Sequence, residues 1–476
     1  MRSSVSRRCG SGFLNRSLSA GQPPNSAALP DRRDFRPPNS RAGAEHACPP
    51  AACRTFVGGY TPAGPHLLKQ GRQGSSRMST GSRLAAAAAM LSLLIGASAA
   101  LAQLAPPRTW PELKQAVQER ANRNAYPMTG MKPADVREIL SHINSLDRDE
   151  WAAAWTGMGS RYAAKAAEVE ATDKTAAREA YLMAFRYDAF GSWPTQNSAG
   201  KKKALTASVG DFGKYAALND PAIERVQFPY EGKTVHAYLA LPTGIRPAPV
   251  VLAIGGLDSY KEYWCERADE FLKAGLGIMC LDMPGTGEAP VKIDVGVEKM
   301  YSAAIDYLLT RPDVDGKRLA AMGVSWGGYW SAILGFTEKE RLRGTVVWGG
   351  PIHHYFQKDW QSKALGTREY LFDLFPARAG VYRVSTIDEF FAYGPRMSLQ
   401  TRGFIDKSSA PMLLINGVND TQVPIDDLYL LQQTGTPKEA WVNPQGGHVG
   451  RGPGWSDGKI LVSVALPWLK RLLAAE

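Results

Sequence analysis

The feature that most constrains the fold is an alternation of short apolar segments with helical segments that begins at residue 249. Each apolar segment has the length of a strand buried on both faces. Strands that alternate with helices in this way form right-handed βαβ units. We therefore predict an α/β fold, a mostly parallel sheet with helices on both faces. The predicted strands are Pro249–Ile254, Gly277–Asp282, Leu319–Val324, Gly344–Trp348, Met412–Asn416 and Ala440–Asn443, and the predicted helices include Glu262–Ala274 and Lys459–Leu473.

The region before this alternation is helical. Between residues 110 and 218, apolar residues recur at spacings of three and four, with few strand formers among them. Alternating polar and apolar residues at Glu224–Tyr230 and Thr234–Leu241 then predict a pair of strands. We predict a helical N-terminal cap domain at residues 103–222. A catalytic α/β domain follows at residues 223–476, with an insertion at about residues 351–408.

The net charge of +11 is concentrated near the N-terminus. Residues 1–102 hold 13 of the 56 Lys and Arg and 3 of the 45 Asp and Glu, which leaves 43 basic and 42 acidic residues. A nucleic-acid-binding protein carries its excess of positive charge on the folded part. We therefore expect a small-molecule substrate and no nucleic-acid partner.

Residues 1–77 are rich in Arg, Pro, Ser and Gly and have no apolar period. We therefore expect either a disordered extension or a segment that precedes the true start of translation and is not part of the protein. Residues 78–102 have the parts of a signal peptide: a basic start with Arg83, a short apolar run, and small residues at Ala100 and Ala102. This pattern predicts translation from Met78, export to the periplasm or secretion, and no stable membrane insertion after cleavage. A membrane anchor is the alternative, because the apolar run is barely long enough to span a bilayer.

Cleavage after Ala102 leaves only Cys265 and Cys280 of the five cysteines. Two cysteines do not complete a zinc site, so we expect no metal. In an oxidising compartment these two residues can pair, and two buried thiols are the equal alternative.

The pattern Gly-x-Ser-x-Gly occurs at Gly323-Val324-Ser325-Trp326-Gly327, directly after a predicted strand and before a predicted helix. A serine on so sharp a turn has a strained backbone, and small residues two positions away on either side avoid clashes. The hydroxyl then lies at the N-terminus of a helix, whose dipole stabilises negative charge. This context predicts Ser325 as a nucleophile rather than as part of an ordinary glycine turn.

The predicted base is His448. It follows the last predicted strand, in the loop where the chain order Ser, Asp, His puts the base. His142 in the helical region and His236 in a strand are more simply structural. His353 and His354 begin the insertion, so we predict that they form walls of the substrate pocket.

The predicted acid is Asp420, which follows the strand Met412–Asn416. A carboxylate there accepts a hydrogen bond from the imidazole Nδ1–H, fixes the tautomer and stabilises the imidazolium. Asp426 and Asp427 are the alternatives. They fall in the first turn of the next predicted helix, where an acidic residue often only interacts with the helix dipole.

An oxyanion hole needs two backbone N–H groups. We predict that Trp326, the residue after the nucleophile, supplies the first. The second comes from the loop that follows the strand Pro249–Ile254, with Leu257 as our choice and Gly256 as the alternate. An ordinary glycine turn is the other interpretation of this loop.

Gly256-Leu257-Asp258-Ser259 with Lys261-Glu262, the Gly-Val-Ser-Trp-Gly-Gly turn and the helical domain resemble the FrsA-like hydrolases. This subgroup of the α/β-hydrolases includes 2,6-dihydroxypseudooxynicotine hydrolase, and the resemblance covers roughly Trp110 to the C-terminus. It implies a helical cap over the active site and a homodimer. An exported form is unusual for a subgroup whose familiar members act inside cells. We add Asp258 and Tyr260 to the predicted substrate pocket.

These residues predict a serine hydrolase that cleaves a carboxylic ester of a small or medium-sized substrate and needs no cofactor. The resemblance makes C–C hydrolysis of a β-diketone-like substrate the second possibility. Amide or peptide hydrolysis is the third. A binding protein without catalysis is favoured only if a member of the triad is missing, and none is.

Overall fold

The computed structural model describes residues 108–475, so the predicted extension at 1–77 and the predicted signal peptide at 78–102 lie outside the described residues. Five helices come first in the described chain. They are α1 (Trp110–Asn122), α2 (Pro133–Ser141), α3 (Arg148–Val169), α4 (Lys174–Ser192) and α5 (Ala199–Leu218).

The starts of the three long helices follow from their N-cap residues. The side chains of Asp147, Asp173 and Ser198 accept hydrogen bonds from backbone N–H groups in the first turns of α3, α4 and α5. These bonds satisfy donors that have no partner inside the helix. Because α5 contains four lysines and several small residues, its apolar period is weak, and the sequence predicted the region as helical without separating this element.

Eight strands form one sheet. They are β1 (Glu224–Tyr230), β2 (Lys233–Ala240), β3 (Ala248–Ile254), β4 (Gly277–Leu281), β5 (Val314–Val324), β6 (Gly344–Trp348), β7 (Met412–Gly417) and β8 (Glu439–Asn443). Their order across the sheet is β1-β2-β4-β3-β5-β6-β7-β8. The strands from β3 to β8 are parallel, while β2 is antiparallel to both β1 and β4. The predicted α/β fold with a mostly parallel sheet is confirmed.

Both faces of the sheet are buried, as the continuous apolar strands predict. Along β3, Val250, Leu252 and Ile254 face one hydrophobic core, whereas Val251 and Ala253 face the other. The second core also contains residues of α4 and α5, so the helical N-terminal region packs on one face of the sheet.

The remaining helices connect the strands, and two predicted helices are divided. In place of Glu262–Ala274 there are two short helices, and a π-helical turn at Leu461–Ala465 divides the last one. Before the insertion the helices are α6 (Lys261–Cys265), α7 (Ala268–Lys273), α8 (Lys299–Leu309) and α9 (Trp326–Thr337). After β7 they are α13 (Ile425–Gln433), α14 (Asp457–Ile460) and α15 (Leu466–Leu472).

Between β6 and β7 lies a largely helical segment, which falls within the region predicted as an insertion. Its helices are α10 (Lys358–Leu365), α11 (Leu374–Tyr382) and α12 (Ile387–Met397). The connection from α10 to α11 contacts the N-terminal helices: Leu371 belongs to their hydrophobic core, and Arg148 forms an ion pair with Asp373. The boundaries of the predicted domains stay predictions.

In the described part of the chain, every helix is too short or too polar to cross a bilayer. Cys265 and Cys280 form a disulfide, so of the two alternatives that the sequence left open, the structure has the paired one.

Candidate active site

Ser325 lies on the turn between β5 and α9, with φ 55° and ψ −122°. Its N–H donates to the carbonyl of Trp348 at 2.7 Å, which fixes the turn against the neighbouring strand. A positive φ is unfavourable for a residue with a side chain, so the backbone of Ser325 is strained.

Two close contacts with backbone atoms explain why the motif has glycine at both of its outer positions. A Cβ atom on Gly323 would lie 1.9 Å from the carbonyl oxygen of Gly327. One on Gly327 would lie 2.2 Å from the carbonyl oxygen of Ile254. Any larger residue at either position would push the turn away from the sheet, and the side chain of Ser325 would move with it.

The three predicted catalytic side chains are brought together. His448 Nε2 lies 2.9 Å from Ser325 Oγ, and His448 Nδ1 lies 2.8 Å from Asp420 Oδ2. The other oxygen of Asp420 accepts hydrogen bonds from the N–H groups of Gln422 at 2.7 Å and Val423 at 2.9 Å. Asp420 is 5% exposed, so these bonds hold the carboxylate in one orientation within the protein.

Two opposing effects act on the pKa of His448. Burial of the ring favours the neutral form, but the attraction and hydrogen bond of the Asp420 carboxylate outweigh it and raise the pKa of His448 above 6.5. With Nδ1–H donating to Asp420, Nε2 of the neutral ring is free to accept a proton from Ser325 Oγ.

The predicted oxyanion loop lies against the serine. A Cβ atom on Gly256 would be 3.2 Å from Ser325 Cβ and 3.8 Å from Oγ, so the backbone of this loop adjoins the hydroxyl. Leu257, which follows, makes no backbone hydrogen bond within residues 108–475. Trp326 is the first residue of α9, where an N–H has no partner inside the helix.

The helix that follows this loop, α6, is attached to β4 at both ends. At its start, the backbone N–H of Lys261 donates to Asp282 Oδ1 at 2.8 Å, and Lys261 Nζ lies 3.0 Å from Oδ2. Nζ also lies 2.7 Å from a carboxylate oxygen of Glu262 and of Glu288. Lys261 is fully buried. At the other end of α6, the disulfide joins Cys265 to β4.

Asp258 connects the oxyanion loop with the helical region. Its Oδ2 accepts a hydrogen bond from Trp193 Nε1 at 3.1 Å, and its carbonyl accepts one from Tyr126 Oη at 3.4 Å. Tyr260 is buried, with its hydroxyl 3.1 Å from Ser192 Oγ. Tyr260 therefore holds the loop to the end of α4.

His353 and His354 lie on the turn after β6. His353 Nδ1 is 2.8 Å from Ser398 Oγ, and burial lowers the pKa of its ring, whereas His354 is exposed. Among the residues described, His, Cys, Asp and Glu form no group that would hold a metal ion.

Asp427 has a role that the sequence did not indicate. It is fully buried, and its carboxylate accepts the backbone N–H groups of four consecutive residues, Ile352 to Tyr355, at 2.6 to 3.2 Å. Asp427 thereby fixes the turn that carries both histidines. Its position in a first helical turn suggested only a surface charge, and no sequence pattern connects it with a segment more than 70 residues earlier.

The model of the FrsA-like family, described as "Esterase FrsA-like", matches residues 120–440. This chain belongs to the FrsA-like esterase family. Esterase FrsA of Photobacterium profundum is 30% identical over 291 residues, which are 60% of this chain and 68% of that protein. Esterase FrsA of Vibrio cholerae is 27% identical over 326 residues, which are 63% and 76% of the two chains.

Among solved structures, 2,6-dihydroxy-pseudo-oxynicotine hydrolase aligns with a TM-score of 0.62 at 20% identity, over 76% of this chain and 95% of that one. The fold of this FrsA-like chain is therefore that of the α/β-hydrolases. The predicted resemblance is confirmed, and the chain is a hydrolase.

Proposed function

We propose that this FrsA-like protein is a serine carboxylesterase that forms an acyl-enzyme on Ser325. The supporting observation is the unbroken series of hydrogen bonds from Asp420 through His448 to Ser325 Oγ, each 2.8 or 2.9 Å long. A nucleophile, a base and an orienting acid in this arrangement make acyl transfer the favoured chemistry.

In the first half of the reaction, His448 Nε2 takes the proton as Ser325 Oγ attacks the ester carbonyl. The N–H groups of Trp326 and of Leu257 or Gly256 donate to the oxyanion that develops, while Asp420 stabilises the imidazolium. His448 then protonates the leaving alcohol. Water, deprotonated by His448, attacks the acyl-enzyme and releases the acid.

The test uses the full chain with p-nitrophenyl acetate and butyrate. We expect burst kinetics, and we expect Ser325→Ala and His448→Ala each to lower kcat by roughly 10⁴-fold or more. Ser385→Ala, at an exposed serine, is the matched control and should be unchanged. A fluorophosphonate should label the peptide that contains Ser325.

Ester turnover that survives Ser325→Ala would refute the mechanism. A folded wild type that is labelled at Ser325 but inert on both esters would redirect the search to C–C and amide bonds.

A further inference from the structure

A buried arginine that has no carboxylate partner within the described residues lies in the helical segment between β6 and β7. Arg378, on α11, is 3% exposed. Its Nη2 donates to Gln422 Oε1 at 3.0 Å. Nε and Nη1, which carry three of the five N–H groups, find no acceptor among residues 108–475. Because a guanidinium stays charged and is costly to bury unpaired, this arrangement needs a reason.

Three further donors belong to the same group of side chains as Arg378. Its Cζ lies 5.4 Å from the centre of the Tyr355 ring. The hydroxyls of Tyr355 and Tyr382 and the indole N–H of Trp326 are buried, and residues 108–475 provide no hydrogen-bond partner for them. The Trp326 ring lies 5.8 Å from Tyr355 and 5.5 Å from Tyr382, so the four side chains are neighbours. We call Arg378, Tyr355, Tyr382 and Trp326 the donor cluster.

The donor cluster adjoins the catalytic residues on two sides. Trp326 directly follows Ser325 in the chain. Gln422, the hydrogen-bond partner of Arg378, donates its own N–H to Asp420 Oδ1 at 2.7 Å. The donor cluster is therefore connected to the nucleophile through the backbone of Trp326 and to the acid through Gln422.

We propose that the donor cluster binds a carboxylate carried by the substrate, so that the enzyme hydrolyses acidic esters such as half-esters of dicarboxylic acids. The proposal rests on the serine esterase function proposed above and names its substrate class. Every member of the cluster offers a hydrogen-bond donor, and its one permanent charge is positive. Guanidinium groups pair with carboxylates through strong, charge-assisted hydrogen bonds, whereas a cationic group would be repelled.

The geometry of the cluster also explains how an acidic ester would be oriented. A carboxylate fixed at Arg378 would leave the ester end of the same molecule to reach Ser325. Binding energy from this distant group would hold the carbonyl near the hydroxyl and raise kcat/KM.

The experiment compares esters that differ only in charge. Monoethyl esters of succinic, glutaric, adipic and pimelic acids are paired with the same esters whose free carboxylate is a primary amide. A second pair, 4-carboxyphenyl and 4-carbamoylphenyl butyrate, puts the charge on the leaving group. We expect wild type to prefer the acid in at least one pair by on the order of 10- to 100-fold in kcat/KM.

Arg378→Gln should abolish this preference, and Tyr382→Phe should reduce it several-fold. Arg396→Gln, at an exposed arginine of the neighbouring helix α12, is the control and should keep the ratio. Because Arg378→Gln is a change in the core, the dianion of adipic acid and neutral adipamide are also compared as inhibitors of wild type. The dianion should inhibit more strongly.

A wild type that prefers the acid in none of the pairs, or a preference that survives in folded Arg378→Gln, would overturn the proposal. Labelling of Ser325 by a fluorophosphonate separates this result from failure of the esterase function itself. If labelling and ester turnover persist without a preference for acids, only the substrate class is wrong.

Discussion

His448 is the residue through which pH should control this enzyme. Its ring is almost fully enclosed, yet the Asp420 carboxylate raises its pKa above 6.5. The proposed mechanism needs the neutral ring, because only an unprotonated Nε2 accepts the serine proton. Protonation at low pH therefore removes the base.

We expect kcat/KM of wild type to rise with pH and to level off above an apparent pKa higher than 6.5. Asp420→Asn removes the carboxylate and leaves the effect of burial, so its midpoint should move to lower pH. Its kcat should also fall, by roughly 10⁴-fold. Profiles of rate against pH for both proteins test this, and an unchanged midpoint in the variant would contradict the assigned role of Asp420.

Because the backbone at Ser325 is strained, we expect that replacing this residue by glycine removes activity and increases stability. Ser325→Gly relieves a conformation that costs about 1–3 kcal/mol and adds about 0.5–1 kcal/mol of chain entropy to the unfolded state. We expect an inactive protein whose unfolding free energy is higher than that of wild type by about 1 kcal/mol. Ser325→Ala removes the same hydroxyl but keeps the strain, so it is the matched control in denaturant unfolding. Equal stability of the two variants would show that the turn is not strained.

Local context and chain order were sufficient to select the three side chains that the fold brings together. Ser325 has its motif, Asp420 ends a strand, and His448 follows the last strand. Arg378 and Asp427 could not be found in this way. Their roles depend on which distant side chains or backbone groups the fold places beside them, and an isolated Arg or Asp in a helix looks like a surface charge.

At the scale of elements, α6 shows how a short helix supports the oxyanion loop that precedes it. Lys261 and the disulfide attach its two ends to β4. The carboxylates of Asp282, Glu262 and Glu288 outweigh the burial of Lys261 and raise the pKa of its ammonium well above 10.5. Periodicity predicted one long helix here, because apolar spacing continues past the break after Cys265.

Lys261→Met should leave the buried carboxylates of Glu262 and Asp282 without their cation. Breaking such a pair costs about 3–5 kcal/mol of unfolding free energy, and guanidinium unfolding measures the loss. The loop would also lose its anchor, so kcat should fall by more than KM rises. Lys273→Met, on α7, is the control and should match wild type. A Lys261→Met protein that is destabilised but retains the kcat of wild type would limit Lys261 to stability.

Across the whole molecule, a carboxyl pair in the helical region should make folding sensitive to pH. Asp188 on α4 and Asp211 on α5 are buried together, and burial with their mutual hydrogen bond raises the pKa of Asp188 well above its usual range. The folded state therefore holds a proton that the unfolded chain releases above about pH 4. The contribution of this pair to stability is therefore greatest at low pH and falls as the pH rises above about 4.

We expect the unfolding free energy attributable to Asp188 to decline by up to about 1.4 kcal/mol per pH unit above that point. Asp188→Asn cannot ionise and should lack this decline. Glu179→Gln, an exposed carboxylate on the same helix, should behave as wild type. Urea unfolding at a series of pH values measures the slopes, and parallel curves for wild type and Asp188→Asn would contradict the shared proton.

The contacts of Asp258 also bear on when the candidate site is assembled during synthesis of the chain. The candidate site brings together Trp193 and Tyr126 from the helical N-terminal region, Ser325 from the middle of the sheet, and His448 from close to the C-terminus. A growing chain completes its N-terminal parts first. The proposed ester cleavage would therefore begin only when the last strand and its loop have been made and docked, so we expect a nascent or truncated chain to be harmless to esters around it. For the experimenter, the onset of turnover marks the moment at which the whole molecule has folded.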